Sequence, residues 1–233
     1  MKVNQLSKRL QKVAEYVPKD ARLADIGSDH AYLPVALTLQ NKINFAIAGE
    51  VVPGPFEAAK KQVAENNLEE KIIVRLADGL AAVKESDNIS AVTICGMGGV
   101  LIRDILQSGK DVLSGDERLI LQPNVAERQL RTWLVENKYE IIDEAIIREN
   151  HKTYEIIVAE KGNAVSYSDK DLFFGPLLIE EKNPIFIQKW NHKLEKSKSI
   201  LTNLKQGQAT DQKIHRLETE IAWIQEVLAD ESN

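Results

Sequence analysis

Hydrophobic positions along the chain follow two rhythms. Leu6, Leu10, Val13 and Val17 recur at helical spacing and predict a helix over residues 4–16, which Pro18 stops. Short apolar runs then alternate with helical patterns. Strands are predicted at Arg22–Ile26, Phe45–Val51, Ile72–Leu76, Ala91–Cys95, Leu119–Gln122, Tyr139–Ile147 and Tyr154–Ala159, with helices near residues 32–40, 55–66, 99–108 and 126–136. Such alternation predicts an α/β fold, a mostly parallel sheet covered on both faces. Only Asn150–Thr153 joins the last two strands, too short for a crossover helix, so they are expected to be antiparallel.

The rhythm changes after Lys161. Residues 163–170 read as a polar turn, and from Asn183 the pattern is helical. Ile187, Trp190, Leu194, Ser197, Leu201 and Leu204 step by 3, 4, 3, 4, 3, and Ile214, Leu217, Ile221, Ile224 and Leu228 step by 3, 4, 3, 4. Gly207 offers a stop between them and Asp211 a fresh N-cap. Two antiparallel helices zipped along a heptad seam satisfy this pattern. The expected domains are residues 1–161 and 162–233.

Composition narrows the class. Hydrophobic residues at 43% and charged residues at 28% fit a globular chain of 233 residues. The lone Cys95 excludes a disulfide framework or a thiolate cluster, no metal is expected, and a reducing compartment fits. No apolar run reaches membrane-spanning length and the start lacks a signal-peptide core, so a cytoplasmic protein without membrane attachment is expected. A monomer is the expected state. The formal net charge of −5 excludes a globally basic nucleic-acid binder but not a local basic face.

In an open parallel sheet, ligands bind beyond the carboxyl ends of the strands. The first strand runs into Asp25-Ile26-Gly27-Ser28-Asp29-His30, the second into Gly49-Glu50-Val51, the third into Ala77-Asp78-Gly79, and the fourth into Gly96-Met97-Gly98-Gly99. Gly27 allows a close turn under a ligand. Glu50, 25 positions after Asp25, stands where an acid accepts both hydroxyls of a ribose. Asp78 can accept from an adenine amine, Asp25 can hold an ammonium directly or through water, and the Gly96–Gly99 loop leaves room for a sulfonium and its methyl. S-adenosylmethionine carries all four groups. A nicotinamide dinucleotide fits less well, because Asp29 replaces the second glycine of G-x-G-x-x-G and repels a pyrophosphate. Each residue also has a plainer reading. Asp25 alone can be a helix cap, Glu50 a solvated loop acid, Asp78-Gly79 a turn and Gly98-Gly99 a helix start; their order across consecutive strands favours the ligand.

The segments D-I-G-S-D-H-A-Y-L-P, G-E-V, A-D-G-L, C-G-M-G-G and L-Q-P-N, in that order, resemble the TrmK family of bacterial tRNA methyltransferases that modify N1 of adenine 22. The resemblance extends to Arg148–Glu155 and the C-terminal heptads; Cys95 stands where a small residue such as Ala is expected. It implies a Rossmann-like class I methyltransferase domain followed by a coiled-coil hairpin, with tRNA as partner. The cofactor set is Asp25, Gly27, Ser28, His30, Glu50, Val51, Asp78, Gly79, Gly96, Met97 and Gly98.

Adenine N1 carries an in-plane lone pair, so methyl transfer needs alignment and exclusion of water rather than deprotonation. Asp29 is the candidate to stabilise the purine cation that forms, with helix capping as its plainer role. His30 could contact the cofactor or orient Asp29. Tyr32 could stack on a base or simply pack, and Asn124 could bond the adenine edge or serve a turn beside Pro123. The fourth strand lacks the N-P-P-Y type segment usual for methylation of the exocyclic amine, which favours a ring nitrogen. Residues 182–216 carry a net charge of +6, and the region from Lys2 to Asp20 carries +3, while acids gather from Glu218 to Glu231. Lys8, Arg9, Lys189, Lys193, Lys196 and Lys198 are therefore the expected RNA contacts, the alternative being a solvated helix face. Two other functions stay open on sequence alone: a methyltransferase for a small molecule or protein, and a non-catalytic RNA-binding protein with a vestigial cofactor site.

Overall fold

The computed structural model describes residues 6–162, 165–207 and 210–229. Lys2, Asn163 and Glu231, used in the reading above, lie outside them. The chain divides into two compact units between Tyr167 and Ser168.

The first unit opens with α1 (Lys8–Tyr16). Ser7 caps it, its hydroxyl accepting from the Leu10 N–H at 3.2 Å, so the helix begins later than the hydrophobic spacing implied and Leu6 is buried outside it. There follow β1 (Arg22–Ile26), α2 (Tyr32–Leu39), β2 (Phe45–Glu50), α3 (Pro53–Glu65), β3 (Ile72–Leu76), β4 (Ala91–Met97), α4 (Gly99–Ser108), β5 (Arg118–Pro123), α5 (Glu127–Glu136), β6 (Tyr139–Glu149) and β7 (Lys152–Lys161). The strands form one sheet in the order β3-β2-β1-β4-β5-β7-β6. Pairs among β1–β5 are parallel; β7 runs antiparallel to β6, as the short link between them requires, and also to β5.

Alternation along the strands builds a core on each face. Leu23, Ala46, Ala48, Ile120, Ile156 and Val158 pack in one buried cluster with residues of α1, α2 and α3. Their neighbours Ala24, Ile47, Leu119, Leu121, Ile157 and Ala159 pack in the other, with residues of α4 and α5. Both faces are therefore covered, and a parallel strand such as β2 reads as a nearly continuous apolar run from Phe45 to Gly49.

The second unit holds α6 (Asp169–Phe174), α7 (Leu178–Glu181), α8 (Pro184–Gln206) and α9 (Asp211–Ala229). The first two were missed because six and four residues are too few to show a period. Ser168 and Asp171 form a capping box for α6. Asp211 is the first helical residue of α9 rather than its cap. Phe174 and Phe186 are fully buried, and with Phe173 and Trp190 they form an aromatic cluster with ring centroids 4.4–6.1 Å apart. Among the described residues, no helix is long and apolar enough to cross a membrane.

Candidate active site

Strand order reverses at β1, which lies between β2 and β4, and this places a crevice above the ends of those strands. Asp25 ends up opposite Thr93 in the β1–β4 register. Its carboxylate is 3% exposed and accepts from the Ser28 hydroxyl at 2.5 Å and the Thr93 hydroxyl at 2.6 Å. Burial pushes its pKa up; the two hydroxyls oppose that shift, Asp29 adds to it and Arg9 works against it. Asp25 thus anchors the turn that follows.

That turn demands its glycine. Gly27 has φ +69°, and a Cβ there would lie 2.1 Å from the Met97 methyl. The N–H groups of Gly27 and Ser28 both donate to the Gly49 carbonyl, at 2.9 and 3.2 Å, which ties the end of β1 to β2. Asp29, His30 and Ala31 then adopt φ of 47°, 68° and 56° in succession. Non-glycine residues in this region cost about 1–3 kcal/mol each, and such strain gathers where backbone groups must be aimed. One of them is aimed at Glu50, whose carboxylate accepts the Asp29 N–H.

Glu50 is 5% exposed, and its Oε1 is buried without a hydrogen-bond partner among the described residues. Burial raises its pKa, the Asp29 N–H opposes this, and the negative charges of Asp25 and Asp29 add to it. A buried carboxylate oxygen without a partner is unfavourable in isolation and is relieved by a ligand that brings donors. Nearby, the Asp29 side chain is 84% exposed and lies 3.6 Å from His30 Nε2, and the His30 ring stacks on Tyr32 with centroids 5.4 Å apart.

The neighbouring strand ends complete the crevice. Asp78 and Gly79 line a cavity of about 390 Å³ with Leu80, Leu101, Ile105 and Val112, roomy enough for a purine base. Leu101 and Ile105 lie one turn apart on α4, a spacing that sequence reading assigns to core packing. Val51 is 60% exposed at the end of β2. Gly96 has φ +76°, and its N–H donates to the side chain of Gln122 at 3.0 Å. Asn124, expected to face an acceptor base, donates from Nδ2 to the Gly96 carbonyl at 2.7 Å and is otherwise exposed. Cys95 is half-buried, and desolvation together with the negative charge of Asp25 pushes its thiol pKa up.

The six expected RNA contacts fall in both units. Arg9 turns inward: Nη1 donates to Gln122 Oε1 at 2.5 Å, and the guanidinium lies over the Tyr154 ring at 5.6 Å. The Lys8 side chain is on an exposed residue whose N–H donates to Glu149. In the second unit, Lys198 pairs with Glu195 at 3.0 Å and Lys189 lies over the Trp190 ring at 5.3 Å. Lys193 and Lys196 are exposed.

The family model described as TrmK, tRNA (adenine(22)-N(1))-methyltransferase, matches residues 23–226. The chain belongs to the TrmK family. A TrmK relative from Bacillus subtilis (strain 168), a tRNA (adenine(22)-N(1))-methyltransferase, is 46% identical over 230 residues, covering 97% of this chain and 96% of its own. A Streptococcus pneumoniae protein solved in complex with S-adenosyl-L-methionine superposes with a TM-score of 0.89 at 46% identity, covering 96% of this chain and all of its own. Mycoplasma capricolum TrmK, solved with S-adenosyl-homocysteine, gives a TM-score of 0.85 at 30% identity, covering 96% and 98%. The resemblance carried by the strand-end motifs is therefore one of membership in TrmK.

Proposed function

We propose that this protein transfers a methyl group from S-adenosylmethionine to N1 of adenine 22 in tRNA, acting in the cytoplasm as a monomer. The observation that carries the cofactor is the orphaned Glu50 Oε1, a buried acceptor waiting for hydroxyl donors. When bound, S-adenosylmethionine supplies an electrophilic methyl on a sulfonium. Glu50 receives the ribose hydroxyls, Asp78 the adenine amine, and Val51, Leu101 and Ile105 the apolar faces of that base. Asp25, Asp29 and Glu50 gather negative charge in one place, which favours a cationic ligand over its neutral product. No side chain need remove a proton, because adenine N1 is already a nucleophile at neutral pH. The test is transfer of labelled methyl to a tRNA transcript and to the same transcript carrying guanine at position 22. Transfer to the first alone supports the reading; equal transfer to both contradicts it.

Asp29 is well placed to act electrostatically, being exposed at the mouth rather than engaged as a cap: α2 has Ala31 at its N-cap position and no side-chain cap. Asp29→Asn should lower kcat far more than it weakens cofactor binding, with the melting temperature unchanged. A parallel loss of binding and stability would instead assign Asp29 a structural role.

The α8–α9 pair supports a coiled-coil hairpin. Phe173 touches Trp190 early in α8 and Trp223 late in α9, while Lys205 late in α8 pairs with Glu218 at 2.6 Å. The seam residues Trp190, Leu194, Ser197, Ile221 and Ile224 are buried, and Lys193 and Lys196 lie outside it. This hairpin is the tRNA grip. Phosphate contacts release counterions, with a log–log salt slope of about 0.9 per neutralised phosphate on duplex. Replacing Lys189, Lys193 and Lys196 by Glu should weaken tRNA binding and flatten that slope while cofactor titration is unchanged. Methylation at the normal apparent affinity would reduce these lysines to a solvated face.

A further inference from the structure

Gln122 is a fully buried polar side chain at the end of β5, and its carboxamide sits inside a chain of hydrogen bonds whose polarity has only one solution. Oε1 accepts from Arg9 Nη1 at 2.5 Å and from the Gly96 N–H at 3.0 Å. Both partners are donors only, so the oxygen must face them. Nε2 then donates to the Pro123 carbonyl at 2.9 Å and to Asn124 Oδ1 at 3.2 Å. Asn124 in turn must direct Nδ2 to the Gly96 carbonyl, at 2.7 Å. The Asn124 N–H donates to the Met97 carbonyl at 2.7 Å, which fixes its backbone beside the same loop. Donors at one end and carbonyls at the other thus forbid either amide from turning over. Arg9, far away in sequence on α1, supplies the charged end of the relay.

We infer that Gln122, held by Arg9, is a positioning residue that sets which way the exposed Asn124 amide faces the acceptor base, and so selects a 6-amino purine. This inference rests on the methyltransferase reading above. With Oδ1 oriented by Gln122, one oxygen lone pair of Asn124 remains to accept from the exocyclic amine beside adenine N1. A 6-oxo purine presents an acceptor there and meets an acceptor. It also carries a proton on N1, where the lone pair is needed. The relay therefore rewards the base whose N1 is free.

Gln122→Glu tests the polarity with almost no change of shape. The carboxylate keeps one oxygen on Arg9 and the Gly96 N–H, but its second oxygen opposes the Pro123 carbonyl and Asn124 Oδ1. Asn124 can meet the new carboxylate only by turning over, which sets its Oδ1 against the Gly96 carbonyl, so neither orientation is held and the Oδ1 acceptor is no longer fixed toward the base. Asn124→Ala, at an exposed position, removes the reader without burying a charge and decides the matter even if the first variant folds poorly. The substrates are a tRNA transcript with adenine at position 22 and one with unsubstituted purine there, which keeps the N1 lone pair but lacks the amine. For each protein, the ratio of kcat/KM on adenine to that on purine is measured, with calorimetry of S-adenosylmethionine as a check on folding. The wild-type ratio should exceed that of Asn124→Ala and Gln122→Glu by roughly tenfold, the worth of one hydrogen bond. A general structural defect lowers both substrates equally and leaves the ratio unchanged. Equal ratios in all three proteins would overturn the inference while leaving the function standing. Wild-type protein inactive on the adenine transcript would overturn the function itself.

Discussion

Arg131→Met should destabilise the first unit by about 3–5 kcal/mol, the usual penalty for removing one partner from a buried ion pair. Arg131 is fully buried on α5. Its Nε donates to Glu144 Oε1 at 2.7 Å and its Nη2 to Glu155 Oε2 at 2.7 Å, and both acids are buried. In the β6–β7 register Glu144 pairs with Ile157 and Ile146 with Glu155, so the two carboxylates share one face of adjoining strands. The paired acids raise the arginine's pKa even though burial alone would lower it. Methionine fills much of the volume but leaves two carboxylates without their counter-charge. Urea denaturation reads the effect as a fall in midpoint at constant m. A change below ~1 kcal/mol, the scale of a surface substitution, would mean that the acids are solvated in the native state.

The second large effect has opposite signs for binding and stability. Glu50→Ala should weaken S-adenosylmethionine binding roughly ten- to a hundredfold, because hydrogen bonds to a charged acceptor contribute about 1.5–3 kcal/mol. Glu50→Gln should stabilise the ligand-free protein at neutral pH, since it removes the burial penalty that raises the native pKa above the usual 4.5. Between that value and the raised native pKa, the wild-type folded state binds more protons than the unfolded state, so its stability falls as pH rises. The glutamine variant lacks this loss. Its advantage should be absent below the unfolded pKa, grow as pH climbs through the native one and hold constant above it. Melting temperatures of the ligand-free proteins across that range check the sign. A glutamine variant less stable than wild type at neutral pH would mean that Glu50 is held by partners rather than kept for a ligand.

The strands and the order of chemical groups at their ends were legible because each depends on neighbours in sequence. Asp25, Gly27, Glu50, Asp78 and Gly96 all lie at strand ends, where local pattern places them. What stayed hidden depends on contacts between distant segments. Gln122 reads as the end of an apolar strand, and only the fold brings Arg9 to it, 113 residues away. Arg131 sits on an amphipathic helix where arginine ordinarily marks the solvent side, and its acids are visible only once β6 and β7 pair. Arg9 was expected on the RNA-facing surface for its charge alone; helix α1 instead turns it toward β5. The left-handed run at Asp29–Ala31 also left no signal, because none of the three is glycine.

The central claim is the atom that receives the methyl group. Unmodified tRNA incubated with the protein and labelled S-adenosylmethionine is digested at neutral pH, to avoid rearrangement of 1-methyladenosine, and mapped by mass. The account predicts one labelled nucleoside, 1-methyladenosine, at position 22. Label in 6-methyladenosine, or at another position, would contradict it.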